Sequence, residues 1–358
     1  SSYSPYSINF TSTGIKISKD QNSFDIDVSK FPDVTLLIPK NSVPIFNLEE
    51  GVKELKEIKS LVILSSSIQI GKNWNLLPAP SKVHYTLDDT ESSISVTTES
   101  FPFEAWDLMF NSRFSFSSSL TSYTFSDKLI LNNQNISFNL PNYLASTSDV
   151  VFMDVVLSGN SKIESIKAYG NGQLIINKLL VQKGSSSLIN SMITDELTLE
   201  PESSLNNDFK FNGNLTINIE WNLNQVPTLN SLSAQSLAPQ QINIFYKGEL
   251  IDGREKEFDD FLSKDVVIMN NVNFDISNNV NFVSENVKEF NNGNDLVLKC
   301  QLDNNELKFV ATKSLIGEGN DDKFDSETES SPLSEDSETT SSESLSEEPQ
   351  KSELISEE

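Results

Sequence analysis

Apolar residues return at a constant step of 18 positions in the stretch from Leu157 to Ile217. They form two columns: Leu157, Ile175, Ile193 and Phe211 in the first, and Ile163, Val181, Leu199 and Ile217 in the second. Around the second column apolar and polar residues alternate, as in Leu197-Thr198-Leu199, which is typical of a strand with one buried face. A constant period on strands allows successive turns of chain to stack like over like. The stretch therefore predicts a β-solenoid whose core is built from these columns.

The turns between these strands fit two architectures. Glycine and asparagine, as in Asn171-Gly172 and Asn212-Gly213, accept the positive φ that a sharp corner requires. An antiparallel β-sandwich would use the same turns, but nothing in that fold requires a repeat of 18 residues. The sequence thus predicts an all-β fold, a right-handed parallel β-solenoid, with a β-sandwich as the alternative.

The repeat divides the chain into four regions. These are a β-rich N-terminal part and cap (1–149), the regular coils (150–221), a C-terminal cap or small β domain (222–316) and an acidic tail (317–358). Two short helices are expected among the capping segments. One runs from about 48 to 58, where Leu48, Val52 and Leu55 have helical spacing, and the other covers 255–262.

The densest group of aromatic residues lies between positions 101 and 110. It consists of Phe101, Phe103, Trp106, Met109 and Phe110. We expect this block to fill or plug the hydrophobic core, and an aromatic platform for a sugar is the alternative.

Charge excludes several classes of partner. The 358 residues carry a formal net charge of −26, and the only arginines are Arg113 and Arg254. Such a chain repels a phosphate backbone and an anionic membrane, so we expect no nucleic-acid ligand.

The chain offers little information about its compartment. Cys300 is the only cysteine, so no internal disulfide can form. No apolar run approaches the ~20 residues of a membrane-spanning helix, and none resembles a signal peptide. Because the sequence begins at Ser1, we expect a processed piece whose leader, and any anchor, are absent from this chain.

The tail from 317 to 358 is rich in serine and glutamate and poor in apolar residues. It cannot offset its chain entropy by burial, so disorder is expected. The segments that begin at Thr340 and Ser344 fit an acid-directed kinase and are candidate phosphorylation sites. The tail could also dock a basic partner, which leaves an intracellular scaffold as one alternative function.

A search for catalytic and metal-binding patterns is mostly negative. His84 and Cys300 lack the context of a nucleophilic dyad, and no metal cluster, phosphate loop or nucleophile elbow is present. Asp88, Asp89 and Glu91 lack the ligand spacing of a calcium site. No cofactor is implied by these residues.

Parallel β-helices include enzymes that act on polysaccharides, so their motifs were compared with this sequence. The pectin-hydrolase family carries paired aspartates followed by Gly-His-Gly and Arg-x-Lys. Here Asp88-Asp89 and Asp259-Asp260 exist without Gly-His-Gly, and Arg254-Glu255-Lys256 falls in an expected helix. The lyases of this fold use an arginine beside calcium carboxylates, whereas Arg113 has no acidic cluster near it in sequence. A carboxylate pair brought together by the fold remains an alternative.

Three sequons for N-glycosylation are present, at Asn9, Asn135 and Asn214. In a chain this rich in asparagine, serine and threonine they are weak indicators of secretion.

Several runs near the end of the coils resemble known surface proteins. They are 214–221 (NLTINIEW), 226–229 (VPTL), 242–248 (INIFYKG) and 257–262 (EFDDFL). These runs resemble the end of repeat ectodomains in trichomonad-type surface proteins, and the preceding coils resemble the β-helical heads of fungal wall adhesins. The resemblance covers about 150–316 and departs from that pattern in the acidic tail.

The resemblance implies a cell-surface or secreted protein that is adhesive and not an enzyme. Its expected partner is a host or neighbouring-cell ligand, either a glycan or a protein. The sequence does not specify the binding residues or the oligomeric state.

Overall fold

The computed structural model of this chain describes most of the residues up to 315. The described residues are 6–27, 35–39, 41–53, 55, 60–63, 67–77, 83–87, 92–108, 111–117, 120, 122–141, 149–166, 172–220, 226–232, 236–247, 256, 260, 266–270, 280–284 and 294–315.

The fold is all-β, as predicted. Strands account for 63% of the structure and helical residues for 4%, and no helix in the described part reaches seven residues. Two 3-10 turns are described, Trp74–Leu76 and Phe103–Ala105, and the isolated described residues Lys256 and Asp260 are also helical. None of the helices seen in the described residues is long and apolar enough to cross a membrane.

Twenty-six strands follow one another along the chain. The first sixteen are β1 (Tyr6–Phe10), β2 (Gly14–Lys19), β3 (Asn22–Asp27), β4 (Thr35–Ile38), β5 (Ile45–Leu48), β6 (Ser60–Ile63), β7 (Ile68–Ile70), β8 (Val83–Leu87), β9 (Ile94–Val96), β10 (Trp106–Leu108), β11 (Ser112–Phe116), β12 (Tyr123–Phe125), β13 (Leu129–Asn132), β14 (Asn135–Asn139), β15 (Val150–Ser158) and β16 (Lys162–Ile166). The others are β17 (Leu174–Val181), β18 (Gly184–Leu199), β19 (Ser203–Phe211), β20 (Asn214–Glu220), β21 (Thr228–Leu229), β22 (Gln241–Lys247), β23 (Val266–Met269), β24 (Val280–Ser284), β25 (Asn294–Asp303) and β26 (Glu306–Leu315).

The chain divides into two compact units. Unit 1 comprises Ser1–Val156, Asn160–Asn177 and Ile189–Ser191, and unit 2 comprises Leu157–Gly159, Lys178–Leu188 and Met192–Glu358.

Unit 1 is dominated by strands that pair in parallel with strands one turn of chain away. One ladder runs β1, β5, β7, β9, β11, β14 and β16, and each neighbouring pair is parallel. Strands β4, β6, β8 and β10 form a separate four-stranded parallel sheet. Parallel neighbours need a crossover connection, so each strand returns to its sheet only after a full turn of chain.

The N-terminal edge of unit 1 is antiparallel. Strand β2 pairs with β1, and β3 pairs with β2 through a tight turn in which Asp20 has φ of 55°. This hairpin ends the parallel ladder, as terminal elements do in stacked folds.

Unit 2 contains a second set of parallel ladders. Strands β18, β20, β22 and β24 pair in parallel, and so do β19, β21 and β23. The C-terminal end is antiparallel: β26 pairs with β23 and with β25.

The step of 18 residues is real in part of unit 2. Leu197 pairs with Leu215 and Leu199 with Ile217 in register. The Glu200 amide donates to the Val181 carbonyl at 2.9 Å, which places β18 next to the end of β17. The column Val181, Leu199 and Ile217 is therefore a true stack of buried side chains.

The same step fails before Val181. Ile163 pairs with Ile136 instead of stacking under Val181. Ile175 is only half-buried, while its neighbours Leu174 and Ile176 are fully buried. The places of Ile175 in the first column and Ile163 in the second were therefore predicted wrongly, because the chain makes longer turns there.

Neither expected helix is seen. Leu48 ends strand β5, and the turn at Glu50-Gly51 has Gly51 in the left-handed region at φ 85°. Val52 is buried after this turn, so the helical spacing of Leu48 and Val52 reflects two separate inward positions. Nearly all of the second stretch, 255–262, lies outside the described residues.

Candidate functional site

The sequon asparagines occupy different environments. The Asn9 amide donates to the Lys16 carbonyl at 3.1 Å, and its Oδ1 accepts a hydrogen bond from Asn47 at 3.1 Å. Asn135 donates to Asn111 Oδ1 at 3.2 Å. Asn214 is exposed at the start of β20, and its side chain has no hydrogen-bond partner among the described residues. Of the three, Asn214 therefore offers the most accessible amide.

Several residues named from sequence lie outside the described part. They are the candidate phosphorylation sites Thr340 and Ser344, the acidic tail, Asp88, Asp89 and Glu91, and Arg254 and Asp259. The side chain of Cys300 is not described either.

The aromatic block of 101–110 lies in the core. Phe101, Phe103 and Trp106 are each no more than 3% exposed. The Phe103 ring packs against Phe101, Phe125 and Phe152 at centroid distances of 4.5, 4.9 and 5.1 Å. Buried rings cannot present a platform to a sugar, so the core interpretation of these three residues is confirmed; Met109 and Phe110 are not described.

His84 pairs with a carboxylate on the outer face of the four-stranded sheet. Its Nδ1 lies 3.0 Å from Asp107 Oδ2, and the two residues are in register on β8 and β10. The angles do not suit a hydrogen bond, so the contact is an ion pair when the imidazole is protonated. Both side chains are about a third exposed.

Two carboxyl groups approach each other near the end of β12. Burial raises the pKa of Asp127, and the negative charge of Glu104 raises it further. Glu104 also accepts a hydrogen bond from the Lys128 amide at 2.9 Å, and the Lys128 ammonium lies 3.9 Å from Asp154. The charge of Glu104 therefore acts on the Asp127 carboxyl group in the folded chain.

No group of three or more histidine, cysteine, aspartate or glutamate side chains within the described residues could hold a metal ion.

Most outward polar side chains of unit 1 bond to the next strand of the ladder. The Asn139 amide donates to Ser115 Oγ at 3.0 Å, Ser115 donates to Ser93 at 3.1 Å, and the Ser67 and Ser93 hydroxyls are 3.3 Å apart. The residues joined are 22 to 26 positions apart in sequence. Such ladders stabilise the stacking of one strand on the next.

A second group of polar atoms in unit 1 is buried without partners. These atoms are Tyr85 Oη, Ser92 Oγ, Trp106 Nε1, Ser112 Oγ and Arg113 Nε, and none has a hydrogen-bond partner within the described residues. Such atoms are rare in folded proteins, and each one calls for an explanation.

Two of the residues with unpaired polar atoms are in contact. The Tyr85 and Trp106 rings contact at a centroid distance of 6.1 Å. Ile94 of β9 pairs with Phe114 of β11. Ser92 and Ser112 lie two positions before these two residues. Burial strongly raises the pKa of the Tyr85 phenol. The positive charge of Arg113 lowers that pKa by a smaller amount.

Arg113 itself has no ion pair and no hydrogen bond from its side chain within the described structure. It is half-buried on β11, where it pairs in register with Ser137 of β14. Sequence analysis considered this arginine only beside calcium carboxylates. Its pairing with Ser137 leaves no signal in the sequence.

No protein-family model matches this chain, and neither a curated protein nor a solved structure shows significant similarity to it.

Proposed function

We propose that this chain is a right-handed parallel β-solenoid that serves as a binding or structural protein at the cell surface or in secretion. Its stacked coils would form an elongated scaffold that displays loops to a glycan or protein on a host or neighbouring cell. The proposal treats the protein as a non-enzymatic, adhesin-like ectodomain.

Parallel pairing supports the solenoid. In unit 1 the ladder from β1 to β16 is parallel at every step, and in unit 2 the ladder from β18 to β24 is parallel as well. A β-sandwich is built from antiparallel hairpins and Greek-key connections, which these ladders lack. Antiparallel pairs in the described residues occur at β1–β2–β3 and around β26.

The observation that carries the scaffold function is that outward polar side chains are used to hold one strand to the next. Besides the serine and asparagine ladder, Asn206 donates to Ser185 at 3.1 Å, and Asn230 donates to Asn206 at 3.3 Å in unit 2. An ion pair also joins two strands, since the Lys178 ammonium of β17 lies 3.8 Å from the Glu196 carboxylate of β18. Side chains that are engaged in stacking support a display scaffold better than a catalytic groove.

Localisation on intact cells tests this proposal. An antibody against residues 150–316 should stain unpermeabilised cells, and the mature protein should carry glycan mass that an Asn214→Gln variant loses. Asn9→Gln is the matched control, because its amide is already hydrogen-bonded and should carry no glycan. Staining only after permeabilisation, with no glycan mass, would contradict the surface assignment and favour an intracellular scaffold.

One observation favours a second function, a carbohydrate-active enzyme. Glycosidases use two carboxyl groups: a protonated carboxylic acid donates a proton to the leaving oxygen, and a carboxylate assists the attack of water. Asp127, whose pKa is raised, would be the acid, and Glu104 would be the carboxylate. Incubation with plant, fungal and animal polysaccharides should then release new reducing ends, and Asp127→Asn and Glu104→Gln should each abolish the release. Equal release by wild type and both variants would exclude this pair.

A further inference from the structure

The inner face of the sheet in unit 1 continues past the N-terminal end of the core. Across β1, β2 and β3 the paired residues Ile8, Ile17 and Phe24 form one apolar row. The exposed fraction of these side chains rises from 2% at Ile8, through a half-buried Ile17, to 65% at Phe24. Phe24 therefore lies uncovered on the same face that is buried at the start of the row.

Strand β3 also presents an edge that can accept a further strand. Among the described residues it pairs with β2 alone, in an unbroken antiparallel register from Gly14 with Asp27 to Lys19 with Asn22. An edge strand offers a row of backbone donors and acceptors on its outer side, which proteins usually block with proline, lysine or a β-bulge. The sequence of β3 (NSFDID) contains neither proline nor lysine, and its pairing with β2 has no bulge.

We propose that β3 pairs with β3 of a second copy of this chain, about a twofold axis at Phe24. Two copies of one strand that are related by such an axis run antiparallel, which is the orientation that β3 already has with β2. The two hairpins then join into one continuous sheet whose inner faces lie on the same side. This interface does not depend on the cellular location of the protein.

Charge selects the register of the pairing, because β3 carries two aspartates. With Asp25 on the axis, its carboxylate would face its own copy, and with Ile26 on the axis, Asp25 would face Asp27. Like charges directly opposite each other destabilise a sheet. With Phe24 on the axis, Asp25 faces Ser23, whose hydroxyl can donate to the carboxylate, and the two phenyl rings lie side by side.

The dimer should be weak. A six-residue strand buries much less area than a standard protein interface, and a net charge of −26 on each chain adds repulsion at low salt. We expect a dissociation constant of about 100 µM at ~0.15 M salt, and a larger one at low ionic strength. At the ~1 µM concentrations that suit unfolding experiments, the chain is then monomeric.

Sedimentation equilibrium of the full chain, from about 5 to about 500 µM, tests the dimer. The average mass should rise with concentration from that of one chain toward that of two. Phe24→Lys places two ammonium groups opposite each other, so dimerisation should be at least about tenfold weaker. Leu232→Lys is the matched control, since Leu232 is 78% exposed in unit 2, and it should leave the dissociation constant unchanged. An unchanged urea midpoint at low concentration shows that Phe24→Lys still folds.

Disulfide cross-linking tests the register. Residues directly opposite in an antiparallel pair have Cα atoms about 4.5–5.5 Å apart, which a disulfide can bridge. In a Cys300→Ser background, Phe24→Cys should therefore form a covalent dimer on oxidation. Lys19→Cys is equally accessible on β2 but lies one strand away from the interface, so it should form little of that dimer at the same concentration.

Four results would overturn the proposal. A mass that stays at one chain over the whole range would mean that the edge of β3 is covered within its own chain. A dimer that Phe24→Lys leaves unchanged, or equal cross-linking of Phe24→Cys and Lys19→Cys, would place the interface elsewhere. Equal weakening by Leu232→Lys would indicate nonspecific charge repulsion. Growth past two chains would indicate open-ended association, because a twofold interface closes at the dimer.

Discussion

Aromatic rings fill much of the interior of unit 1, whereas leucine, isoleucine and valine fill most of the interior of unit 2. Ring contacts in unit 1 form a continuous path from Phe10 to Phe152, through Trp74, Trp106, Phe101 and Phe103. In unit 2 the paired residues Leu197, Leu199, Leu215 and Ile217 are each fully buried.

The step between stacked strands varies in both units, and the aliphatic stack of β18 on β20 has the shortest. Side-chain hydrogen bonds between turns in unit 1 join residues 22 to 38 positions apart. In unit 2, β18 and β20 stack at 18, whereas β20 and β22 stack at 27. Large rings can tilt to fill spaces of unequal width. Aliphatic side chains fill the core by stacking like on like, as Leu197 does on Leu215 and Leu199 on Ile217.

A charge in the aliphatic column should cause the largest loss of stability. Leu199→Asp should lower the free energy of unfolding by about 4 kcal/mol or more, because a carboxylate would be buried without a partner. Thr198→Asp, on the half-exposed face, should cost no more than about 0.5 kcal/mol. Urea titration measures both, and equal losses would show that the inward face was assigned wrongly.

Loss of a central ring should have the next largest effect. Phe103→Ala removes contacts with several rings and should cost about 3–5 kcal/mol. Phe24→Ala is the control, since that ring is 65% exposed, and it should change stability by no more than about 0.5 kcal/mol. If thermal melts of the two variants coincide, the aromatic path does not hold unit 1 together.

A glycine in the regular stack should tolerate no side chain. A Cβ on Gly213 would meet the Asp195 carbonyl oxygen at 2.2 Å, a backbone atom that cannot move aside. Gly213→Ala should therefore cost about 3 kcal/mol. Gly51 of unit 1 has open space around it, so Gly51→Ala should cost about 1–2 kcal/mol through its positive φ alone. The reverse order in denaturant midpoints would refute the close stacking of β20 on β18.

Side-chain hydrogen bonds between neighbouring turns should contribute less to the free energy of unfolding, and by similar amounts in both units. Asn139→Ala and Asn230→Ala each remove one hydrogen bond to a neighbouring turn and should cost about 1 kcal/mol. Asn214→Ala removes an exposed amide without a partner and should be close to neutral. A loss with Asn214→Ala as large as with Asn139→Ala would mean that the ladders are incidental.

Asp127 should give unit 1 a small pH dependence. Because its pKa is raised in the folded state, first by burial and then by Glu104, the folded protein binds the proton more tightly than the unfolded chain. Stability should therefore fall as pH rises from the ordinary aspartate value to the raised one. Asp127→Asn should flatten this part of the profile, and Glu104→Gln should flatten it partly. Unchanged pH profiles of the urea midpoint in both variants would contradict the assignment.

The two units also show how far the sequence could be interpreted. Strand alternation correctly predicted an all-β fold, the inward face of Leu197 and Leu199, and the burial of Phe101, Phe103 and Trp106. The stacking of Val181, Leu199 and Ile217 could be predicted from the sequence because these residues are separated by a constant 18 positions. In unit 1 the turns differ in length, so parallel partners such as Phe46 and Ile70 share no period that a sequence can reveal.

Errors of prediction arose where tertiary pairing overrides local pattern. Leu48 has helical spacing with Val52, but pairing with Phe10 of β1 holds it in a strand, and Gly51 reverses the chain. The candidate site was missed for a similar reason. Tyr85 and Trp106 come together through the pairing of β8 with β10, which no local motif encodes.

The central claim is that successive turns stack in parallel and in register, and spin labels test it most directly. Thr198 and Thr216 are outward partners on β18 and β20, so nitroxides on Thr198→Cys and Thr216→Cys in a Cys300→Ser background should show strong dipolar broadening. Neighbouring strands lie ~4.8 Å apart, well within the range of that effect. Each singly labelled protein provides the unbroadened reference. Spectra of the double-labelled protein that match the sum of the single-labelled spectra would contradict the parallel stack.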